Sequence, residues 1–517
     1  MRKLLLHVLF VAGIAFASVG CKPSGDAEPT EKTIKVLTRG NGGDPGSLDP
    51  ALATDIHAFH VLTDLCEGLV TVDASGSVSP GVATEWRISP DSTTYSFSLR
   101  PNARWSNGDL VVAQDFVRAF AHLANPDTPS PLAYLLNPIR GFAEIKGGAA
   151  PLEALGVHAS DPDTLVIEFA QPTAHALALL SLPLACPRHA DPEITNGAYQ
   201  LVSWSPLDSL LIEKNPFFHG ASEVFFDQVR YLPVTDEATE HRMFVAGELD
   251  LTEAIPVASL QAMSEEQREE VRIAPVLGTY FLALDINEAP STDRSLRRAL
   301  SSAINRQTLA EILGRGERPA YRLVPPGTAG QRAIPDMPSG STANAFTTSA
   351  DLVYLYDTGS VHEKIALTVQ SMWREALGLE INLDAREWQY FLDARQRREQ
   401  WSVMRFSWFA DYNDALAFLE LFREGNENNL PGYANPEFEQ LLDRAASTAD
   451  QDDRAALLTA AERMLLDDAV IIPLYFMVSK HMVDRSLSGF IPNALDRHPS
   501  RFMRRKTNVN DAKETTE

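Results

Sequence analysis

Short segments with alternating apolar and polar residues recur along this chain and are separated by segments with helical periodicity. Residues 94–99 alternate as a strand does, whereas the apolar positions within 116–123 mark an amphipathic helix. A longer helix is predicted at 361–377, followed by a strand at 379–383. Further strands are predicted at 34–37, 164–169, 210–213, 228–233 and 280–286. This mixture favours lobes of the α/β or α+β class with mixed sheets.

Length and charge narrow the possible classes of protein. A chain of 517 residues is too long for one ordinary core and long enough for two or three lobes. The net charge of −24 makes it a poor nucleic-acid binder, because affinity for phosphate depends on surfaces rich in Lys and Arg. No nucleic-acid partner is therefore expected.

The N-terminus carries the most specific local signal. Two basic residues precede an apolar stretch at 4–16, and small residues then lead into Cys21. This pattern predicts an export signal at 1–20, lipidation of Cys21 and a polar tether at 21–33. Ser18 departs from the usual leucine, so an ordinary export signal with an incidental Cys21 is the alternative. No later stretch is long and apolar enough to predict a transmembrane helix. The expected location is the periplasm or the outer face of a membrane, with a lipid anchor.

Cys66 and Cys186 are the other cysteines of the chain. A disulfide between them and two buried free thiols both remain open, because the sequence does not show whether the residues are close. Two cysteines without clustered histidines cannot form a structural zinc site.

Sequence motifs typical of enzymes are incomplete. His362-Glu363 begins like a zinc-protease helix, but Ala366 stands where the second histidine is needed. The glycine-rich stretch 40–46 is followed by prolines that oppose an immediate helix, so it fits neither a dinucleotide fingerprint nor a P-loop. No Gly-x-Ser-x-Gly motif is present. We expect no catalytic residues, no metal and no cofactor.

Several stretches resemble, in the same order, the dipeptide/oligopeptide-binding proteins of ABC importers, which form extracellular solute-binding protein family 5. The matching stretches are SLDP (47–50), EGL (67–69), PGVATEW (80–86), FSLR (97–100), WSNG (105–108), AQDF (113–116), NGAY (196–199), EWQYFLDAR (387–395) and WFADYN (408–413). The resemblance runs from about residue 34 to about residue 505.

The resemblance implies a periplasmic-binding-protein-like fold shaped like a clam. Two lobes joined by hinge strands grip the ligand, and a small extra lobe is attached to the first. The implied boundaries are 34–70, 195–283 and 483–505 for the first lobe, 71–194 for the extra lobe, 284–482 for the second lobe and 506–517 for a disordered tail.

The resemblance also implies roles for polar residues. Asp411 matches the position that holds the ammonium group of a peptide, and its alternative role is to cap a helix or turn. Arg395 and Arg405 match positions that can meet ligand carboxylates, and the alternative is a surface ion pair, for example with Glu399. His362 matches a position near the ligand, with an exposed helix start as the alternative.

Aromatic and acidic residues complete the expected ligand-binding set. Trp388 and Trp408 match aromatic pocket walls, although core packing is an equally good interpretation. Phe409 and Asp44 are included because they lie at site positions of the family. Family members often carry a cysteine pair at the positions of Gly278 and Phe409, and this chain has neither cysteine.

The function implied is that of a receptor, a monomer, that captures oligopeptides by lobe closure and delivers them to the permease subunits of an ABC importer. The alternatives are the same fold with a murein peptide, haem, a nickel chelate or an oligosaccharide as ligand. An enzyme and a non-transport surface protein are further alternatives, but no nucleophile, metal or cofactor motif supports the enzyme.

Overall fold

The computed structural model describes residues 34–332, 352–397, 399 and 401–506. The predicted export signal, the whole predicted tether at 21–33 with Cys21, and the predicted tail from residue 507 lie outside the described residues. The strands are β1 Val36–Gly40, β2 Val70–Val72, β3 Val78–Pro80, β4 Ala83–Ile88, β5 Thr94–Leu99, β6 Val157–Asp161, β7 Thr164–Glu168, β8 Tyr199–Ser205, β9 Ser209–Lys214, β10 Gln228–Leu232, β11 Val271–Leu284, β12 Arg318–Pro319, β13 Leu352–Asp357, β14 Ile381–Arg386, β15 Val403–Phe409, β16 Ile471–Met482, β17 Leu487–Ser488 and β18 Arg504–Arg505.

The helices are α1 Ile56–Leu65, α2 Ala113–Ala124, α3 Phe142–Lys146, α4 Ala176–Leu180, α5 Glu237–Val245, α6 Val257–Ala262, α7 Glu265–Arg268, α8 Arg294–Ser302, α9 Arg306–Leu313, α10 Ser360–Leu377, α11 Trp388–Arg397, α12 Leu416–Leu419, α13 Pro436–Ala446 and α14 Gln451–Asp467. Gly378 ends α10 with a positive φ of 70°, a left-handed conformation that glycine adopts without strain. Within the described residues, no helix is both long enough and apolar enough to span a bilayer.

Two four-stranded sheets are built from the first half of the chain. In the sheet of order β1-β10-β9-β8, β1 runs parallel to β10 and the other pairs are antiparallel. The sheet of order β4-β5-β7-β6 is entirely antiparallel. Its buried face packs with α2 around Phe97, Phe116 and Phe120, which are all fully buried.

A six-stranded mixed sheet of order β12-β16-β11-β15-β13-β14 forms the second half. Successive residues of β11 enter different cores: Phe281 packs in one buried cluster with Phe406, and Tyr280 packs in another with Tyr354 and Trp373. The sheet is therefore covered on both faces, and its central strands position residues toward two helical layers.

The long strands β11 and β16 connect this sheet to the rest of the protein. They pair antiparallel from Val271 opposite Met482 to Ala283 opposite Ile471. Immediately beyond β16, Val483 bridges to Leu251, which also bridges to Arg39 at the edge of the first sheet. A paired ribbon of this kind is where a hinge between lobes is expected.

The expected fold class, α/β with mixed sheets, is confirmed. The strand predicted at 280–286 instead runs from Val271 to Leu284. Positions 276–284 are buried on both faces, so no alternation marked the part of the strand before residue 280 that lies among them. The predicted strands at 34–37 and 379–383 begin two residues further along and end three residues further along, at Val36–Gly40 and Ile381–Arg386. The lobe boundaries remain predictions.

Candidate ligand-binding site

Strand β15 carries the residues around which the candidate site is built. It lies between β11 and β13, with Arg405 opposite Leu282, Ser407 opposite Tyr280 and Phe409 opposite Gly278. Because side chains alternate along a strand, Arg405 and Ser407 share one face.

Arg405 is buried, with 8% of its surface exposed, and it bonds through Nε to Oδ1 of Asp357 at the end of β13. Its guanidinium lies over the rings of Phe391 (4.9 Å) and Trp388 (5.4 Å) of α11. The aromatic rings and the carboxylate together hold a fixed cation at this position.

His362, in the first turn of α10, joins the same group. Its Nδ1 lies 3.2 Å from the hydroxyl of Tyr280, and its Nε2 lies 3.8 Å from Oδ2 of Asp357. Burial, and secondly the charge of Arg405, lower the pKa of His362, while Asp357 opposes this shift. The ring is therefore neutral near pH 7 and available as a hydrogen-bonding group.

A cleft of about 320 Å³ opens beside His362 and Ser407. It is lined by Tyr280, Arg315, Glu317, Gly359, Val361, His362, Ser407, Tyr475, Met477, Val478 and Lys480. Glu317 lies 3.6 Å from Arg315 and 3.5 Å from Lys480, so one carboxylate faces two cations. Burial lowers the pKa of Lys480. The cleft thus has a cationic excess that suits an anionic ligand group.

Arg395 lies in α11 close to Arg405. Its Nη2 donates to Oδ1 of Asn428 (2.7 Å), and its guanidinium lies 4.6 Å from the centre of the Phe406 ring. Burial first, and then the charge of Arg405, lower the pKa of Arg395. Glu399 pairs with Arg386 at 2.6 Å instead. The alternative in which Glu399 forms a surface ion pair with Arg395 or Arg405 is therefore wrong.

Asp411 lies two residues beyond β15 and is partly buried. Its backbone carbonyl accepts a hydrogen bond from Nη2 of Arg497 (2.7 Å). Its carboxylate makes no hydrogen bond or ion pair with any residue that the structure describes. Burial raises the pKa of Asp411, and the charge of Arg497 partly opposes this effect. The site therefore contains a desolvated acid without a partner of its own.

The neighbouring Asp414 performs the local structural role that was considered for Asp411. Its Oδ1 accepts from the backbone N–H of Leu416 at the start of α12 (2.9 Å). Both of its oxygens also accept from Arg454, at 2.7 and 2.9 Å, and both side chains are buried. Turn capping and buried pairing in this loop thus belong to Asp414.

The remaining expected residues occupy different surroundings. Trp388 is 44% exposed and Phe409 is 53% exposed, whereas Trp408 packs inward and donates from Nε1 to the carbonyl of Ala417 (2.9 Å). Asp44 accepts hydrogen bonds from Nε1 of Trp204 (3.3 Å) and from the backbone of Leu207 in the β8–β9 hairpin. The structure thus brings Arg405, His362, Trp388 and Arg395 together, while Asp44 is engaged by the hairpin.

Sequence reasoning missed Asp357 and the cleft residues Arg315, Glu317 and Lys480. An acidic residue that follows a buried strand and precedes a helix was an available signal for Asp357. The cleft residues come from two segments far apart in the sequence and have no common motif.

Sequence reasoning also missed a buried group of His481, Asp496 and His498, whose ligand-type atoms lie within 4.8 Å of one another. Oδ1 of Asp496 lies 2.9 Å from Nε2 of His481 and 3.0 Å from Nε2 of His498, and Nδ1 of His481 lies 2.8 Å from the carbonyl of Thr252. Hydrogen bonds already satisfy this group, so we interpret it as an ion-pair network.

Comparisons with known proteins identify relatives over nearly the whole chain. The chain is 33% identical to the periplasmic oligopeptide-binding protein OppA of Salmonella typhimurium, over 95% of this chain and 96% of that protein. The solved structure of the Escherichia coli murein tripeptide binding protein MppA has a TM-score of 0.80 and 32% identity, covering 92% of this chain and 99% of that one. Haemophilus influenzae OppA in complex with RPPGFSPFR has a TM-score of 0.78 and 28% identity, with coverage of 92% and 99%. Residues 77–429 match the middle region of the bacterial extracellular solute-binding proteins, family 5. On both its sequence and its fold, this chain belongs to the bacterial extracellular solute-binding proteins of family 5.

Proposed function

We propose that this protein is an exported, monomeric receptor that captures short peptides and delivers them to the permease of an ABC importer. The observation that carries the proposal is the carboxylate of Asp411, which is partly buried, has a raised pKa and has no partner among the described residues. A peptide ammonium would supply the missing partner through a charge-assisted hydrogen bond, worth about 1.5–3 kcal/mol net.

Strand β15, which ends two residues before Asp411, provides a counterpart for the other end of a peptide. Arg405 and Asp411 are six positions apart, a span of at most about 20 Å at roughly 3.3 Å per residue. The cations around Arg405 and the cleft beside His362 suit a carboxylate, while Trp388 and Phe409 offer exposed aromatic surface for variable side chains. An extended peptide of several residues can therefore be held by its constant groups.

A murein peptide is the second candidate, and it is favoured by the similarity to the murein tripeptide binding protein. Such a ligand carries more charged groups than an ordinary short peptide. The cationic excess of the cleft, with two cations against Glu317, can accommodate an additional carboxylate.

Mass spectrometry of ligands that co-purify with the protein tests the proposal. The protein is isolated without denaturation, and its ligands are then released by mild acid. A series of short peptides supports the first candidate, and one peptide that contains diaminopimelate supports the second. A single compound without a free amine contradicts both.

A further inference from the structure

The predicted extra lobe at 71–194, called the extra segment below, begins and ends at the same place in the fold. Glu67 lies just before this segment and Asn196 just after it. The backbone N–H of Glu67 donates to Oδ1 of Asn196 (3.1 Å), and Nδ2 of Asn196 donates to the backbone carbonyl of Glu67 (2.7 Å). Gly197 also donates to the carbonyl of Leu65 (2.9 Å). The outgoing and returning chains are thus fastened side by side.

Cys66 and Cys186 lie on these two chains. Cys66 is the C-cap of α1, and Cys186 is the C-cap of the short 3₁₀ turn Pro183–Ala185. The two segments approach closely, since a Cβ added to Gly68 would lie 3.2 Å from the carbonyl oxygen of Leu180 and 3.8 Å from that of Ala185. Each segment ends in a backbone hydrogen bond at its cysteine, and both cysteines are free thiols in the structure, so the two thiols lie at one junction without being joined.

The two thiols differ in accessibility. Cys186 is buried, with 5% exposed, whereas Cys66 is partly exposed. Burial first, and then the neighbouring thiol of Cys66, raise the pKa of Cys186. A buried thiol of this kind reacts slowly by itself, so an exchange reaction would begin at Cys66.

We propose that Cys66 and Cys186 are joined by a disulfide bond in the exported protein, and that this bond links the chain where the extra segment begins to the chain near its end. The oxidising compartment follows from the proposed location outside the cytoplasm. The bond would close a loop of about 120 residues that contains β2 to β7 and the core around Phe97 and Phe116. Its effect is to tie this segment to α1 independently of the ligand site.

The chemistry requires a disulfide-bearing thiol oxidant, such as an oxidoreductase of that compartment. The Cys66 thiolate attacks the oxidant's disulfide and forms a mixed disulfide, releasing one oxidant thiol. The Cys186 sulfur then attacks Cys66 Sγ and releases the second oxidant thiol. Two protons and two electrons leave the cysteine pair, and the oxidant is reduced to a dithiol.

Thiol mapping of the full exported chain tests the proposal. The protein is unfolded in acid, alkylated without reductant, and digested. We expect unlabelled Cys66 and Cys186 in one cross-linked peptide pair, which separates into two labelled peptides after reduction. Alkylated Cys66 and Cys186 without reduction, or Cys66 joined to a small thiol, would overturn the proposal. Peptide-level mapping keeps Cys21 separate.

Thermal unfolding provides the second readout. Reductant is expected to lower the Tm of the wild-type protein by about 5–10 °C, because a long closed loop restricts the unfolded chain. Cys66→Ser should have the lower Tm from the outset and should not respond to reductant. The exposed Ser75→Cys variant is a control that adds a thiol elsewhere and should retain the wild-type response. A wild-type Tm that reductant leaves unchanged would contradict the disulfide between Cys66 and Cys186.

Discussion

Two aspartates of one short loop have opposite surroundings, although they are only three positions apart. Asp414 is buried, accepts a hydrogen bond from the backbone N–H of Leu416 and pairs with Arg454, so the protein itself provides partners for its charge. Asp411 is partly buried, and its carboxylate has no partner among the described residues. Asp414 therefore stabilises the loop, whereas the carboxylate of Asp411 is available to bind a ligand.

Substitution of Asp411 tests whether this residue binds the ligand or caps a helix or turn. If Asp411 holds the peptide ammonium in a closed site, Asp411→Asn should weaken free-amine peptides by about 3–5 kcal/mol, a few hundredfold or more, because the ammonium is left unpaired. N-acetylation of the peptide should weaken wild-type binding comparably. The two changes together should cost much less than their sum, since each removes one side of the same pair. Isothermal titration calorimetry of this double cycle measures the coupling.

Asp414→Asn is the matched control for this cycle. It leaves Arg454 buried without its partner and should destabilise the empty protein by about 3–5 kcal/mol. The empty Asp411→Asn protein should keep nearly the wild-type Tm. Additive penalties from the Asp411 substitution and N-acetylation would show that Asp411 is not the amine anchor.

The sequence led to several residues that the fold brings together, but it did not reveal what holds them in place. The match around 387–395 and 408–413 led to Arg395, Arg405 and Trp388, which the fold gathers. Asp357 was not identified because its pairing with Arg405 depends on the parallel neighbours β13 and β15, a contact between positions 48 residues apart. Local periodicity carries no information about such a contact.

At the scale of elements, β16 ends in a buried ionic network that joins the hinge ribbon to the C-terminal segment. Nδ1 of His481 lies against the carbonyl of Thr252, and its Nε2 lies against Asp496, so both ring nitrogens face acceptors. Although burial acts in the opposite direction, Asp496 raises the pKa of His481 to about 9. The nearby Glu253 has its pKa raised to about 8 by burial. The sequence did not predict this network, because the partners come from distant segments.

The pKa of His481 sets the direction of a pH effect on stability. Because the folded-state pKa is raised above the ordinary value of 6.5, the stabilisation is complete below about pH 6.5 and is lost as pH rises through about 9. Ionisation of Glu253 adds a penalty as pH rises from about 4.5 to 8, and so acts in the same direction. We expect the free energy of unfolding to fall by on the order of 1–3 kcal/mol between pH 6.5 and 9.5.

Denaturant unfolding of a variant pair across this pH range measures the contribution. His481→Gln should be less stable than wild type at pH 6.5 and should approach it at pH 9.5. His158→Gln, at an exposed position of β6, should follow the wild-type profile throughout. Parallel profiles for wild type and His481→Gln would show that the network does not titrate in this range.

At the scale of the whole molecule, we propose that the mature chain is attached to a membrane through lipid on Cys21. Inhibition of the lipoprotein signal peptidase with globomycin should cause the precursor to accumulate. Cys21→Ala should move the protein from the membrane fraction to the soluble fraction, and Cys66→Ser should leave it in the membrane fraction. A soluble wild-type protein without attached lipid would contradict the anchor.

Closure of the two lobes is the motion that the contacts around Asp411 imply. The ring of Tyr412 stacks on His175 of the extra segment at 5.3 Å and 12°, and Arg497 of the C-terminal segment bonds to the Asp411 backbone. Three segments distant in sequence thus meet beside the proposed ammonium site, and we expect that opening at the ribbon of β11 and β16 separates them. A ligand that contacts both sides favours the closed state by population shift, so the open state should dominate without it.

Small-angle scattering with and without a saturating peptide tests this closure. The radius of gyration should decrease on binding, and the decrease should be unaffected by reductant. Reductant should have no effect because Gly278 and Phe409 stand at the two positions where family members often carry a cysteine pair. These two residues are direct neighbours on β11 and β15, and the Phe409 ring lies 2.9 Å from where a Cβ on Gly278 would be. A reductant effect on Tm without an effect on closure would locate the disulfide at the base of the extra segment and leave the hinge unconstrained. An unchanged radius with proven binding would contradict closure.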